Sequence, residues 1–137
     1  MPSYIRNAGE SRASTQSLAR EGEAVAAEFL AHQGHTVLER NWRSGHLEVD
    51  IITFDSGGVH IVEVKTRREP FMLDPQDCVD AKKQKRLVRA ATAYMRSACP
   101  KHLKRSEILF DIVSVTFAAD GKKTVKYFPG AWIPMYF

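Results

Sequence analysis

Two carboxylates and a lysine stand at spacings that suit metal-assisted chemistry. Asp50 lies in one segment of alternating apolar residues, and Glu63 and Lys65 lie in the next. Carboxylate oxygens are the ligands that hard cations such as Mg²⁺ prefer. A fold that brings the three side chains together would have the groups needed to hold a divalent metal ion beside a positive charge. Glu-x-Lys alone is also common in ordinary strands, where the charges only face solvent.

The segments that must position these residues have the pattern of a β-hairpin. Residues 47–54 and 59–66 alternate and are rich in β-branched side chains, and residues 55–58 (Asp-Ser-Gly-Gly) are typical of a turn. With the turn centred between Ser56 and Gly57, eight residues face one another in pairs on one face of the sheet. These pairs are Phe54–Val59, Ile52–Ile61, Asp50–Glu63 and Glu48–Lys65.

The register predicts two carboxylates directly opposite each other. Like charges in that position destabilise a hairpin, so the Asp50–Glu63 pair indicates a compensating cation. A plain surface of paired charges is the alternative, and a turn displaced by one residue would break the pairing. His46 shares the parity of Asp50 and is a further candidate ligand or base. His60 points to the face opposite Glu63 and is assigned a structural role.

Two helices are predicted to flank the strands. The first covers residues 17–33 and carries Glu23 at the edge of its apolar stripe, where a solvated carboxylate is the simplest interpretation. The second covers residues 80–98, with Asp80 as its N-cap. A basic stripe follows one side of this helix and is either a solvated face or a surface for the phosphate backbone. Its residues are Lys82, Lys85, Arg86 and Arg89.

The remaining elements complete an α/β order. Further strands are predicted at 36–42, 108–117 and 123–128, so the chain reads helix, three strands, helix, one or two strands. This order indicates an α/β sandwich around a mixed sheet. One domain is expected over residues 16–137, preceded by a flexible arm over residues 1–15. The aromatic tail is expected to pack on the domain or to form a partner surface.

Composition narrows the class of protein. The chain has 137 residues, 44% of them hydrophobic and 26% charged, which is typical of a single globular domain. Its net charge of +4 is compatible with a polyanionic partner. No apolar run is long enough for a membrane helix, and the N-terminus lacks the pattern of a signal peptide, so the cytoplasm is expected. Cys78 and Cys99 have no metal-binding spacing and are expected to be reduced thiols.

A wider set of positions carries a resemblance that extends over roughly residues 18–117. They are Gly22, Glu23, Ala27, Phe29, Leu30, Gly34, the run 40–43, Glu48 to Asp50, the run 62–67, Lys82 or Lys83, Ala90, Ala91, Tyr94 and the run 110–113. At these positions the chain resembles the YraN family of bacterial proteins of uncertain function. The resemblance implies a restriction-endonuclease-like fold of the PD-(D/E)xK type, related to archaeal Holliday junction resolvases. Where YraN proteins usually have Gly before Glu-x-Asp, this chain has Leu47, which predicts a shifted turn before Glu48.

The resemblance also implies roles for individual residues. Asp50 and Glu63 match metal-binding carboxylates, with the peptide carbonyl of Val64 as an added ligand, and Lys65 matches the catalytic lysine. Glu23 matches a helix carboxylate that assists the metal site. Glu48 matches a family carboxylate without an assigned role, and Arg67, Arg68 and the basic stripe would hold the nucleic-acid backbone.

The expected function is therefore a nuclease dependent on Mg²⁺ (or Mn²⁺), with nucleic acid, DNA above all, as its partner. Branched DNA and a homodimer are left open. The alternative function is a non-catalytic nucleic-acid-binding or scaffold protein that retains the nuclease fold.

Overall fold

Five strands form one sheet, with a helix on each of its faces. The computed structural model describes residues 8–69 and 79–134. The elements in chain order are α1 (Ala8–His32), β1 (Thr36–Ser44), β2 (Leu47–Asp55), β3 (Gly58–Arg68), α2 (Ala81–Ser97), a short 3₁₀ helix (Lys101–Leu103), β4 (Ile108–Phe117) and β5 (Lys123–Trp132).

The strands lie in sequence order across the sheet. β3 and β4 run parallel, and the other neighbours are antiparallel. Parallel strands need a crossover, which α2 supplies. The mixed α/β sandwich of restriction-endonuclease-like type is confirmed, and β5 completes it as a fifth strand.

The predicted register of the central hairpin is confirmed. Ile52 lies opposite Ile61 and Phe54 opposite Val59. The turn is held by Asp55, whose Oδ1 accepts a hydrogen bond of 2.9 Å from the backbone N–H of Gly57. Because a shift of one residue would exchange the two faces of each strand, this register decides which side chains meet which helix.

Each helix covers its own apolar core. The α1-side core contains Ala26, Leu30, Ile51, Val62, Val113 and Val115. The α2-side core contains Leu87, Ala90, Tyr94, Ile52, Ile61 and Ile112. Neighbouring residues of β2 and β3 thus alternate between the two cores, as expected for strands buried on both faces. Full burial of a side chain such as Leu30 contributes roughly 2 kcal/mol to stability.

Helix α1 begins earlier than predicted. It starts at Ala8 instead of residue 17, so residues 8–15 of the predicted arm are helical, and residues 1–7 lie outside the described residues. This stretch mixes the helix formers Ala, Glu and Arg with Gly, Ser and Thr and lacks an apolar stripe, so periodicity alone misses it. Gly34 ends the helix with φ 96°, and the N–H of His35 bonds to the carbonyl of Leu30 at 3.0 Å.

Gly22 allows α1 to approach β3 closely. A Cβ atom at Gly22 would lie 2.0 Å from Oγ1 of Thr66, which is a clash, and 3.0 Å from Cβ of Thr66, which is a very tight contact. The absence of a side chain here therefore sets the distance between helix and strand. Glu23, the next residue along α1, is placed by the same contact.

The second half of the chain agrees with prediction except at its end. Asp80 caps α2 by accepting the N–H of Lys83 at 2.8 Å, so the predicted N-cap is confirmed. β5 continues four residues beyond its predicted end, because the first part of the aromatic tail joins the sheet. There Trp132 stacks on Phe110 with ring centroids 4.3 Å apart. Residues 70–78, with Cys78, and residues 135–137 lie outside the described residues.

Two further expectations can be compared with the fold. Cys99 is a free, buried thiol, as expected. In the described parts of the chain, neither α1 nor α2 is long and apolar enough to cross a membrane.

Candidate acidic active site

The regular alternation of β2 is interrupted at Asp50. Val49 packs into the α2-side core, yet Ile51, two residues later, packs into the α1-side core. On β1, Asn41 lies between the residues that pair with Val49 and Ile51, and its φ of 52° is left-handed. Asparagine tolerates this conformation better than most residues. The irregularity leaves the side chain of Asp50 outside both apolar cores.

Asp50 instead reaches across to the next strand. Its Oδ2 accepts a hydrogen bond of 2.8 Å from the backbone N–H of Val64. The pairing between β2 and β3 ends one step earlier, at Ile51 and Val62. The carboxylate therefore lies where the two strands separate, beside Glu63.

Four carboxylates converge at this point. Burial, followed by the negative charge of Glu63, raises the pKa of Asp50 to about 7, and Glu23 adds to this repulsion. Burial also raises the pKa of Glu23, with Glu48 and Glu63 adding to the effect and a hydrogen bond from Asn41 opposing it. We call Glu23, Glu48, Asp50 and Glu63 the acidic site.

Two lysines share one oxygen of the buried Glu63. Lys83 Nζ lies 2.5 Å from Glu63 Oε1, and Lys65 Nζ lies 3.7 Å from the same atom. Burial opposes the charge of Lys83, but Glu63 and Asp50 together raise its pKa. Lys83 was not among the predicted site residues. The resemblance left Lys82 and Lys83 unresolved, and only the orientation of α2 turns Lys83 inward.

The acidic site opens on both sides of the sheet. A cavity of about 350 Å³ lies beside α2, and one of about 300 Å³ lies beside α1. Asp50 and Glu63 line both of them. Glu48 lines the α2-side cavity and Lys65 the α1-side cavity. The prediction that all eight hairpin residues share one face was wrong for β2 beyond Asp50, because Val49 packs in the same core as Ile52 and the alternation is interrupted between them.

The predicted phosphate-binding residues lie at different depths. Arg86 lines the α2-side cavity, and Arg67 lines the α1-side cavity, where it donates to the carbonyl of Thr66 at 3.0 Å. Arg68 is exposed at the end of β3. The other three residues of the basic stripe are exposed on α2, as Arg86 is, and do not line these two cavities; they are Lys82, Lys85 and Arg89.

His46 lies at the mouth of the acidic site. It is exposed in the turn between β1 and β2 and lines the α2-side cavity together with Glu48 and Asp50. It is thus near enough to remain a candidate ligand. Glu48 is half-exposed and its nearest cation is Arg43, at 3.8 Å.

A second group of metal-ligand residues lies at the hairpin turn. His35, Asp55 and His60 each offer an atom within 4.8 Å of the others and could hold a metal ion. We call these three residues the histidine cluster. His60 does face away from Glu63, as predicted, but sequence analysis did not connect it with His35. No local pattern joins these residues, because the cluster forms only when the end of α1 packs against the hairpin.

Comparison with known proteins places the chain among uncharacterised bacterial relatives. A UPF0102 protein of Parabacteroides distasonis is 48% identical over 79 residues, which cover 58% of this chain and 65% of the relative. A UPF0102 protein of Porphyromonas gingivalis is 38% identical over 102 residues, or 74% of this chain and 73% of the relative. A third, from Anaeromyxobacter dehalogenans, is 39% identical over 117 residues, or 85% and 84%.

The family model for "Uncharacterised protein family UPF0102" matches residues 22–115. That range holds every carboxylate of the acidic site, both lysines beside Glu63 and the basic stripe. The resemblance to YraN proteins seen in the sequence is confirmed. The chain therefore belongs to the uncharacterised protein family UPF0102.

Proposed function

We propose that this protein is a Mg²⁺-dependent nuclease of the PD-(D/E)xK type that hydrolyses phosphodiester bonds in DNA. The observation that carries the proposal is the convergence of Asp50 and Glu63 where β2 and β3 separate, at a site open to both helices. Buried carboxylates so close together repel each other unless a cation or a proton lies between them.

The donor set suits a hard cation. The acidic site offers only oxygen ligands, which favour Mg²⁺ or Mn²⁺ over softer ions. Burial, and then the negative charge of Glu63, raise the pKa of Asp50 to about 7, so the ionised carboxylate is costly there without a cation beside it. Asp50 and Glu63 would hold the ion, with the carbonyl of Val64 as a third ligand. When bound, Mg²⁺ supplies positive charge to the scissile phosphate and makes water a better nucleophile.

The protein's own side chains would position the substrate and balance its charge. Lys65, 3.7 Å from Glu63, is placed to neutralise the charge that builds on the phosphate in the transition state. Glu23 approaches from α1 and would help to orient the attacking water. Arg86 and Arg67 would hold phosphates at the two cavities, and the rest of the basic stripe would follow the backbone outward.

A non-catalytic nucleic-acid-binding protein is the second candidate function. One observation favours it: the ammonium of Lys83 lies 2.5 Å from Glu63 and supplies a cation without any metal. A scaffold that keeps the nuclease fold would retain such an ion pair for stability. In a nuclease, Lys83 would instead release Glu63 when a metal ion binds.

A cleavage assay separates the two functions. Labelled linear, flapped and four-way DNA, with RNA counterparts, are incubated with Mg²⁺, Mn²⁺ or EDTA and with four proteins. These are wild type, Asp50→Asn, Lys65→Ala and the matched surface control Asp120→Asn. We expect cleavage by wild type and Asp120→Asn only, and none in EDTA.

Each other outcome has a definite meaning. Binding of DNA by wild type without cleavage of any substrate would support the scaffold function. Equal cleavage by wild type and Lys65→Ala would contradict the assignment of Asp50, Glu63 and Lys65 as a nuclease active site. A homodimer is part of the proposal for four-way DNA, because two active sites are needed to cut both strands, and sizing with and without that DNA tests it.

A further inference from the structure

We infer that the histidine cluster of His35, Asp55 and His60 is a second metal site, which binds a transition-metal ion of the Zn²⁺ type. This site is separate from the acidic site and its argument does not depend on nuclease activity. His60 lies three residues before Glu63 on β3, roughly 10 Å along the strand. The donors also differ: two imidazoles and one carboxylate favour Zn²⁺, whereas carboxylates alone favour Mg²⁺.

The three ligand atoms already lie at spacings close to those of a metal site. His60 Nε2 is 2.8 Å from Asp55 Oδ1, and His35 Nε2 is 3.5 Å from Asp55 Oδ2. Tetrahedral Zn²⁺ with bonds near 2.1 Å needs ligand atoms roughly 3.4 Å apart. The centroids of the two imidazole rings are 4.5 Å apart. Small side-chain rotations therefore suffice to enclose an ion.

The groups behind the histidines support the assignment. A histidine that binds a metal normally uses its other ring nitrogen to donate to a carboxylate or another oxygen. Here Nδ1 of His60 lies 2.5 Å from Oδ2 of Asp111, and Nδ1 of His35 lies 2.6 Å from Oγ1 of Thr53. This leaves Nε2 of His60 directed at the carboxylate of Asp55. Nε2 of His35 lies 3.5 Å from Oδ2 of Asp55 and 3.4 Å from the hydroxyl of Tyr127.

Asp111 is itself held in place by a complete set of donors. Its side chain is fully buried, and the hydroxyl of Tyr127 donates to Oδ2 at 2.5 Å while the N–H of Gly130 donates to Oδ1 at 2.9 Å. The orientation of His60 is thereby fixed from β4 and β5. Such an ordered outer layer is what a metal site requires to hold its ligands at fixed angles.

The site has a route for the ion and a clear structural role. The side chains of His35 and His60 are 3% and 6% exposed, but that of Asp55 is 27% exposed and connects the cluster to solvent. The three ligands come from the loop between α1 and β1, the end of β2 and the start of β3. A bound ion would fasten the hairpin turn to this loop, in the way that structural zinc sites stabilise small domains.

The competing account is a buried polar network without metal. In that account, His60 carries a proton at each nitrogen and bridges Asp55 and Asp111, as the distances of 2.8 and 2.5 Å allow. The network would then be complete, and added Zn²⁺ would find no vacant ligand. The two accounts thus differ in whether a metal ion displaces the proton at Nε2.

Titration with Co²⁺ and Zn²⁺ distinguishes these accounts. Co²⁺ is added to metal-free wild type, and visible d–d absorption and thermal unfolding are recorded, then Zn²⁺ is added in competition. We expect absorption bands of a site with nitrogen ligands, their loss on addition of Zn²⁺, and a rise in Tm of several degrees with Zn²⁺. Mg²⁺ should not displace the Co²⁺ bands, and any rise in Tm that it causes through the acidic site should be the same in His35→Gln.

Variants locate the site. Asp55→Asn and His35→Gln should lose the bands and the Zn²⁺-dependent rise in Tm. His32→Gln, which changes an exposed histidine at the end of α1, and Asp50→Asn, in the acidic site, should keep both. If Asp55→Asn binds Co²⁺ as wild type does, or if wild type shows no bands, the cluster is a polar network only.

A measurement on wild type alone guards against variants that fail to fold. Imidazole ¹⁵N resonances are recorded before and after addition of Zn²⁺. Coordination should shift Nε2 of His35 and His60 and leave their Nδ1 nitrogens protonated, while the exposed His32 stays unchanged. Unchanged Nε2 resonances of His35 and His60 at saturating Zn²⁺ would overturn the proposal.

Discussion

The backbone N–H of Val64 donates a hydrogen bond of 2.8 Å to Oδ2 of Asp50. A side chain thus takes the place of a strand partner at the point where β2 and β3 separate. The bond fixes Asp50 between Glu63 and Lys65, the two residues that flank Val64. It also lowers the pKa of Asp50 in part, but burial and Glu63 have the larger effect.

Asp50→Asn should change how stability depends on pH. In the metal-free protein the pKa of Asp50 is about 7, above its ordinary value of 3.8, so the folded state holds a proton that the unfolded state releases. The stability that this bound proton contributes is present in full below pH 4 and is lost as pH rises through 7. At pH 8 in EDTA, Asp50→Asn should therefore be more stable than wild type by about 2 to 4 kcal/mol.

Urea unfolding in EDTA from pH 4 to pH 8 checks this expectation. The difference between wild type and Asp50→Asn isolates Asp50 from the other titrating groups. The difference in the free energy of unfolding should be near zero at pH 4 and grow towards pH 8. When Mg²⁺ replaces EDTA, it should stabilise wild type but not Asp50→Asn. A difference that stays constant with pH would show that Asp50 carries no unusual proton.

Gly22→Ala should destabilise the protein, although the same change in most helices stabilises it by about 1 kcal/mol. The added Cβ would meet Thr66 at 2.0 to 3.0 Å, so α1 must move away from β3, at a cost of about 1 to 3 kcal/mol. The second change Thr66→Ala should restore part of this loss. Ala24→Gly, at a neighbouring exposed position of α1, measures the difference in helix propensity between Ala and Gly alone. Higher stability of Gly22→Ala in thermal unfolding would contradict the close approach.

Lys83→Met should tighten metal binding. Lys83 lies 2.5 Å from Glu63, so its ammonium competes with any cation for that oxygen. Its removal should raise Mn²⁺ affinity severalfold. It should also lower the free energy of unfolding in EDTA by about 1 kcal/mol, because Glu63 loses an ion-pair partner; the loss is small because water partly screens this pair. Lys82→Met, on the exposed neighbour, should change neither. Unaltered Mn²⁺ affinity in Lys83→Met would mean that the ion binds elsewhere.

Binding of DNA should depend on salt through the basic stripe. Replacing Lys85 and Arg89 by Ala removes two phosphate contacts, which should flatten the slope of log affinity against log salt by about 1.8 for duplex DNA. The control replaces Lys122 and Lys123, which carry the same charge at the start of β5. The affinities are measured by fluorescence anisotropy. Equal slopes for the two double variants would show that DNA does not bind along the basic stripe.

The sequence predicts the hairpin well because two local signals agree. Alternation identifies the strands, and the turn at 55–58 sets the register in which Ile52 meets Ile61. The position of Asp50 beside Glu63 follows from that register. The roles of these residues stay predictions, because neither fold nor family tests them.

The parts that could not be predicted depend on distant contacts or on a single backbone angle. The left-handed φ of Asn41 interrupts the alternation, and no pattern in β1 announces it. Lys83 cannot be told from Lys82 until α2 is oriented against the sheet. His35 lies 92 residues from Tyr127 in sequence, yet the Tyr127 hydroxyl lies 3.4 Å from its Nε2.

The central claim is that Asp50 and Glu63 bind one divalent cation. Electron paramagnetic resonance of Mn²⁺ counts bound ions directly in wild type, Asp50→Asn and His35→Gln. We expect wild type and His35→Gln to bind Mn²⁺ at the acidic site and Asp50→Asn to lose that site. Equal binding by wild type and Asp50→Asn would contradict the claim.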